Sequence, residues 1–182
     1  MTSGTADGAT GTGTDPAARL AAHLAACLGA DSAWVPALRS LAAGMTSLHL
    51  ALLTEPFLSL LMNGAKTIES RFSRVRCAPY RCLARGDVIA VKKTGGPVLG
   101  AFVAGPVTSY QLTPARIAEL RERFAPQLCA SDDDFWDQRS DCAYATLVAV
   151  EHVRHVSEIT FPKKDRRGWV QLTQPVTQDT LL

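Results

Sequence analysis

Apolar residues recur along this chain with two periods, and the switch between them marks where one kind of structure gives way to another. Leu20, Leu24 and Leu28 repeat every four residues, the spacing that stacks side chains on one helix face. Asp15-Pro16 ahead of them reads as an N-cap and a first-turn proline, and Gly29 as the stop. A second short helix is expected over residues 32–43, with Trp34, Val35, Leu38 and Leu41 on one side and Gly44 ending it. From Ser47 the period drops to two. Leu48, Leu50 and Leu52 alternate with His49 and Ala51 as in a strand.

A brief helix follows, with Thr54 as N-cap, Pro56 in its first turn and Gly64 just past its end. Residues 67–72 alternate again. Thr67, Glu69 and Arg71 fall on one face, Ile68 and Phe72 on the other. Residues 74–85 contain Pro79 and no period, which predicts an arginine-rich loop. Further strands are expected over 88–93, over 98–107 with a bend or bulge at Gly100 and Gly105, over 144–156, and over 168–172. Thr113-Pro114 opens a helix through Phe124 with Ile117, Leu120 and Phe124 inward. The acidic stretch 132–141 reads as a surface loop with Phe135 and Trp136 tucked under it. Short strands with inserted helices predict an α+β fold: a small mixed β-barrel, closed or nearly closed, with an N-terminal helical extension covering one end.

Composition refines this picture. Residues 1–14 are nearly all Thr, Gly, Ala and Ser and read as a disordered tail, followed by the helical extension at 15–44, the barrel at 47–173 and a C-terminal tail at 174–182. At 182 residues the chain suits one core rather than two. The net charge of +2 hides an uneven distribution: eight basic residues against two acidic between Gly64 and Thr94, four against one at 163–167, and one against five between Ala130 and Asp141. A basic half suits a protein that meets an anionic polymer on one side, and equally one whose acidic loop folds over its own basic face. The five cysteines show no framework spacing, which points to reduced thiols and a cytoplasmic protein. No signal peptide or membrane segment is visible, because His49, Glu55 and Pro56 interrupt the most apolar region.

The candidate chemistry gathers at Lys66, Glu69 and Arg71. Two cations flanking a carboxylate, fixed by a helix end and a strand start, can hold a phosphate, a base edge or a polarised amide. The same three charges would also serve as a surface ion-pair cluster. His152, His155, Cys77 and Cys82 have poor spacing for a zinc site, since the histidines fall on opposite strand faces, and no metal or cofactor is expected. Cys82 beside Arg81 would gain thiolate character, but no histidine is placed to serve it as a base. Tyr80, inside the arginine loop, is the best-placed stacking residue, ahead of Tyr110; Trp136 reads as core.

Gly64-Ala65-Lys66-Thr67-Ile68-Glu69-Ser70-Arg71, with Arg85-Gly86-Asp87-Val88-Ile89 downstream, resembles the pattern of the ASCH (activating-signal-cointegrator homology) domain family, which belongs to the PUA-like barrels. The resemblance runs from about Leu48 to Leu172, and the strand at Tyr144-Ala145-Thr146-Leu147-Val148 and the closing Lys164-Asp165-Arg166-Arg167-Gly168-Trp169 fit the same plan. It implies a barrel that binds RNA or single-stranded nucleic acid in a cleft beside the Lys-Thr segment, with hydrolysis in some members. One branch removes acetyl from N4-acetylcytidine with a lysine, a threonine and a glutamate. The lysine carries over to Lys66. The threonine position is held here by Glu69, and the glutamate would lie on the strand around Ala101-Phe102-Val103.

The leading expectation is therefore an RNA or single-stranded nucleic-acid binding domain. Its contacts would come from Lys66, Arg71, Arg74, Arg76, Tyr80, Arg81, Lys163, Lys164 and Arg166. Two other classes stay open. One is a hydrolase of a modified nucleoside, or a ribonuclease, with Lys66, Glu69 and Thr67 catalytic; the other is a protein-interaction module using the N-terminal helices.

Overall fold

A computed structural model describes residues 15–163 and 167–176. At its centre is one six-stranded mixed sheet in the order β2-β5-β4-β3-β1-β6. The strands are β1 (Leu48–Leu53), β2 (Ile68–Ser73), β3 (Val88–Lys93), β4 (Val98–Gln111), β5 (Tyr144–Ile159) and β6 (Trp169–Gln171). Only β1 and β3 pair in parallel, and every other neighbour is antiparallel. The expected strands at 98 and 144 run longer than their alternation suggested. Register shifts between Val98 and Gly100, Ala101 and Val103, and Ala104 and Val107 bend β4 along β5, so the bulge expected near Gly100 and Gly105 is present.

The alternation in β1 has a different meaning from the one-sided strand it resembles. Both faces are buried. Leu48 and Leu50, with Val88 and Ala90 of β3, face a core built with Leu20, Leu24 and Leu28 of α1 (Pro16–Leu28) and with Trp34. Ala51 and Leu53, with Ile89 and Val91, face a second core inside the curl of the sheet, closed by Leu58, Leu61 and Met62 of α3 (Phe57–Met62). The N-terminal helices therefore cover a sheet face and share its core, instead of capping one end. The α1 cap is as read: Asp15 Oδ1 accepts from the Ala17 N–H at 3.1 Å. The second helix, α2 (Val35–Ala42), starts three residues late, because Trp34 is fully buried at its N-cap and donates its indole N–H to His152 O at 2.7 Å. Likewise α3 begins at Phe57, with Pro56 at the cap in place of Thr54.

A third cluster joins the remaining helices to the β2–β5 end of the sheet. Helix α4 (Pro114–Leu128) is capped by Thr113 and runs four residues past Phe124, carrying Pro126 in its last turn. A proline there removes a single helical hydrogen bond, and the buried Leu128 and the left-handed Cys129 cap fix the extra turn. The first half of the acidic stretch is a short helix and not a loop. α5 (Asp133–Asp137) is capped by Asp132, and acidic residues in a first turn favour a helix N-terminus. Trp136 is core, as expected, with its indole N–H on Ala130 O. No helix among the described residues is long and apolar enough to cross a membrane.

Candidate nucleic-acid interface

The sheet's two edge strands, β2 and β6, approach each other without a backbone hydrogen bond between them among the described residues. A side chain spans the gap. Arg71 of β2 donates from Nη2 to Leu52 O on β1 at 2.8 Å, and its guanidinium carbon lies 5.2 Å from the Trp169 ring of β6. Its Nε stands 3.0 Å from Glu69 Oε1, without the alignment of a hydrogen bond. Nη1 makes no hydrogen bond among the described residues, and it faces Gly168 so closely that a Cβ built there would lie 3.1 Å away. A glycine at 168 thus leaves Arg71 the room to bridge.

Trp169 is itself held from behind. Its Nε1–H donates to His49 Nδ1 at 3.1 Å, and His49 Nε2 is 3.2 Å from Asp87 Oδ2. An indole N–H can only donate, so Nδ1 is the acceptor and Nε2 carries the hydrogen toward Asp87. The Asp87 carboxylate also accepts from the backbone N–H of Ser47 at 2.7 Å and of Ala84 at 2.8 Å. His49, Asp87 and Trp169 are all buried.

Arg71 divides the gap into two cavities. The first, of about 150 Å³, is aromatic, with Phe72, Pro79, Tyr80, Tyr144 and Trp169 in its wall. Tyr80 and Tyr144 meet edge to face at 4.9 Å between centroids. Arg81 lies over Tyr80 at 5.4 Å and Arg76 over Tyr144 at 5.5 Å. Both arginines are exposed, whereas Arg74 is tied to Asp141 in a surface ion pair.

The second cavity, of about 280 Å³, is polar. Lys66, Glu69, Ser70, Arg71, Gln138 and Arg139 are in its wall. Lys66 and Glu69 are buried, their charged atoms 3.5 Å apart. The Lys66 ammonium also donates to Ile68 O at 2.7 Å and to Leu128 O at 3.2 Å. Burial pushes its pKa down, against the pull of Glu69 and helped by the repulsion of Arg71. Burial likewise lowers Arg139, whose guanidinium stacks on Phe135 at 3.6 Å.

The structure thus brings together Lys66, Glu69 and Arg71 as expected and adds Tyr80 next door. Thr67 is exposed and outside the cavity wall. Lys163 stands near Lys92, whose pKa it helps burial to lower, and belongs to neither cavity wall. Lys164 and Arg166 lie outside the described residues. The acidic segment contributes Phe135, Gln138 and Arg139 to the second cavity, not a carboxylate. Burial raises the Cys82 thiol above its ordinary value, opposite to the thiolate character its arginine neighbour suggested. All five cysteines are free, and no group of three His, Cys, Asp or Glu among the described residues is arranged to hold a metal.

No family model and no curated protein matches the sequence. Among solved structures, the chain is similar to ASCH from Zymomonas mobilis, with a TM-score of 0.55 at 14% identity over 69% of this chain and 87% of that one. It carries an ASCH-like fold. Two mutant forms of ASCH from that organism superpose in the same way, each with a TM-score of 0.54, at 13% and 14% identity. The ASCH-like fold agrees with the element beginning at Gly64, and at this identity it speaks for architecture alone.

Proposed function

We propose that this chain binds single-stranded nucleic acid, most naturally RNA, along the gap between β2 and β6. The observation that carries the reading is the Tyr80–Tyr144 pair, bracketed by the exposed Arg76 and Arg81 and opening onto Arg71 and Trp169. Aromatic faces stack on bases whatever their sequence, and flanking arginines neutralise the phosphates between them. A duplex hides its base faces and gains only the electrostatic part. The likeness to ASCH structures supports a scaffold on which such a cleft can form.

The expected outcome is that Tyr80→Ala weakens binding to a short single-stranded RNA by about 1–3 kcal/mol, the value of one stacked base. The salt dependence should stay as it is, because no charge is removed. Fluorescence anisotropy over a range of salt concentrations measures both. Unchanged affinity in Tyr80→Ala would refute the stacking role.

A second reading is favoured by one observation, the buried Lys66 with its lowered pKa beside Glu69 in a polar cavity. In that reading the chain hydrolyses the amide of an acetylated cytidine, with Glu69 as base and Lys66 as electrophile. One feature weighs against it, since the Lys66 ammonium already donates to two backbone carbonyls; the threonine in this cavity wall is Thr54, not Thr67. Release of acetate, abolished by Glu69→Gln, would favour it over the binding domain.

A further inference from the structure

The polar cavity has a charge imbalance that the stacking platform does not explain. Three cations, Lys66, Arg71 and Arg139, share one carboxylate, Glu69. Among the described residues no other carboxylate acts on Lys66 or Arg139, and each of the two is made less basic by the nearby Arg71. Asp132 and Asp134 line a neighbouring cavity beyond Phe135, where both are exposed. Buried and half-buried charges are stable when paired, and among the described residues this cavity's cations outnumber its carboxylates by three to one. Its volume of about 280 Å³ is just under the lower end of ordinary small-molecule pockets, near 300 Å³.

An internal phosphodiester brings one negative charge. A terminal phosphate monoester brings about 1.5 to 2 at neutral pH and three acceptor oxygens. Arg71 borders both cavities, so its guanidinium stands between a phosphate held in the polar one and a base held in the aromatic one. The geometry points to a receptor for the phosphorylated end of a nucleic-acid strand: the end phosphate enters the cavity of Lys66, Arg71 and Arg139, and the adjoining base stacks at Tyr80 and Tyr144. This rests on the binding function proposed above and makes it specific for strand ends.

The test uses the full chain and one short, internally labelled RNA in three forms, with a 5′-phosphate, with a 3′-phosphate, and with hydroxyls at both ends. One phosphorylated form is expected to bind at least tenfold more tightly than the hydroxyl form. Arg139→Gln should erase that preference. Gly168→Ala, which crowds Arg71 without removing a charge, should reduce the preference as well. Thermal unfolding of each variant verifies that it is folded. Equal affinity for all three forms would overturn the end specificity and leave binding along the gap intact. Binding of a nucleoside monophosphate or inorganic phosphate but of no oligonucleotide would also overturn it, assigning the cavity to a free phosphate ligand. Absence of binding to any of these probes would overturn the function itself.

Discussion

Lys66 combines two opposed requirements in one side chain. Its ammonium is desolvated, which lowers its pKa from the ordinary 10.5, yet its charge is what the cavity offers to an anion. A lysine whose pKa is lower folded than unfolded binds fewer protons in the folded state between those two values. Stability therefore rises with pH through that window, and the desolvation penalty is felt in full below it. Affinity for an anion moves the other way, falling as the ammonium is lost. As pH rises toward 10.5, the Lys66 contribution to stability should improve while nucleic-acid affinity drops, and Lys66→Met should remove both trends. Urea unfolding and anisotropy at matched pH report the two quantities; parallel pH trends in wild type and Lys66→Met would show that another group titrates. At this scale the sequence was informative for the Lys66, Glu69 and Arg71 cluster, because Glu69 and Arg71 stand two apart on a strand and must share a face. It was silent on Arg139, Tyr144 and the His49–Asp87 pair, which reach the gap from elements far apart in the chain.

Elements were legible where short-range chemistry fixes them. Asp15-Pro16 and Thr113-Pro114 open helices because a side-chain oxygen and a preset φ act over three residues. Helix ends were less so. Pro126 looks like a stop and is carried inside the last turn, and a string of aspartates looks like a solvated loop and caps a helix. Alternation in β1 predicted the strand but not what covers it, and the tertiary fold covers both of its faces. Helix α1 matters to that covering: Leu24 is fully buried against the sheet. Leu24→Ala should cost about 2–5 kcal/mol of global stability in a single cooperative transition, as for other large-to-small core changes. A separate early melting of the N-terminal helices, with the sheet unaffected, would contradict the shared core. For the same reason, deleting residues 15–44 would expose one face of the sheet, so it is not a clean way to remove a partner-binding module.

The whole molecule is a curled sheet whose edges fail to join, and the failure creates the site. Where β2 and β6 would pair in a closed barrel, Arg71 reaches across to Leu52 and Trp169 and leaves a cavity on each side, one aromatic and one cationic. Of the basic residues between Gly64 and Thr94, Arg71, Arg76 and Arg81 stand around this gap. The most direct measurement is the affinity of the full chain for a short single-stranded RNA as a function of salt. Single strands contribute a slope in log K against log salt of about −0.7 per neutralised phosphate, so contacts from Arg71, Arg76 and Arg81 predict a slope of about −2. That slope should become shallower by about 0.7 in Arg76→Ala and again in Arg81→Ala. A slope near zero in the wild type, or one that neither substitution changes, would contradict binding along the gap.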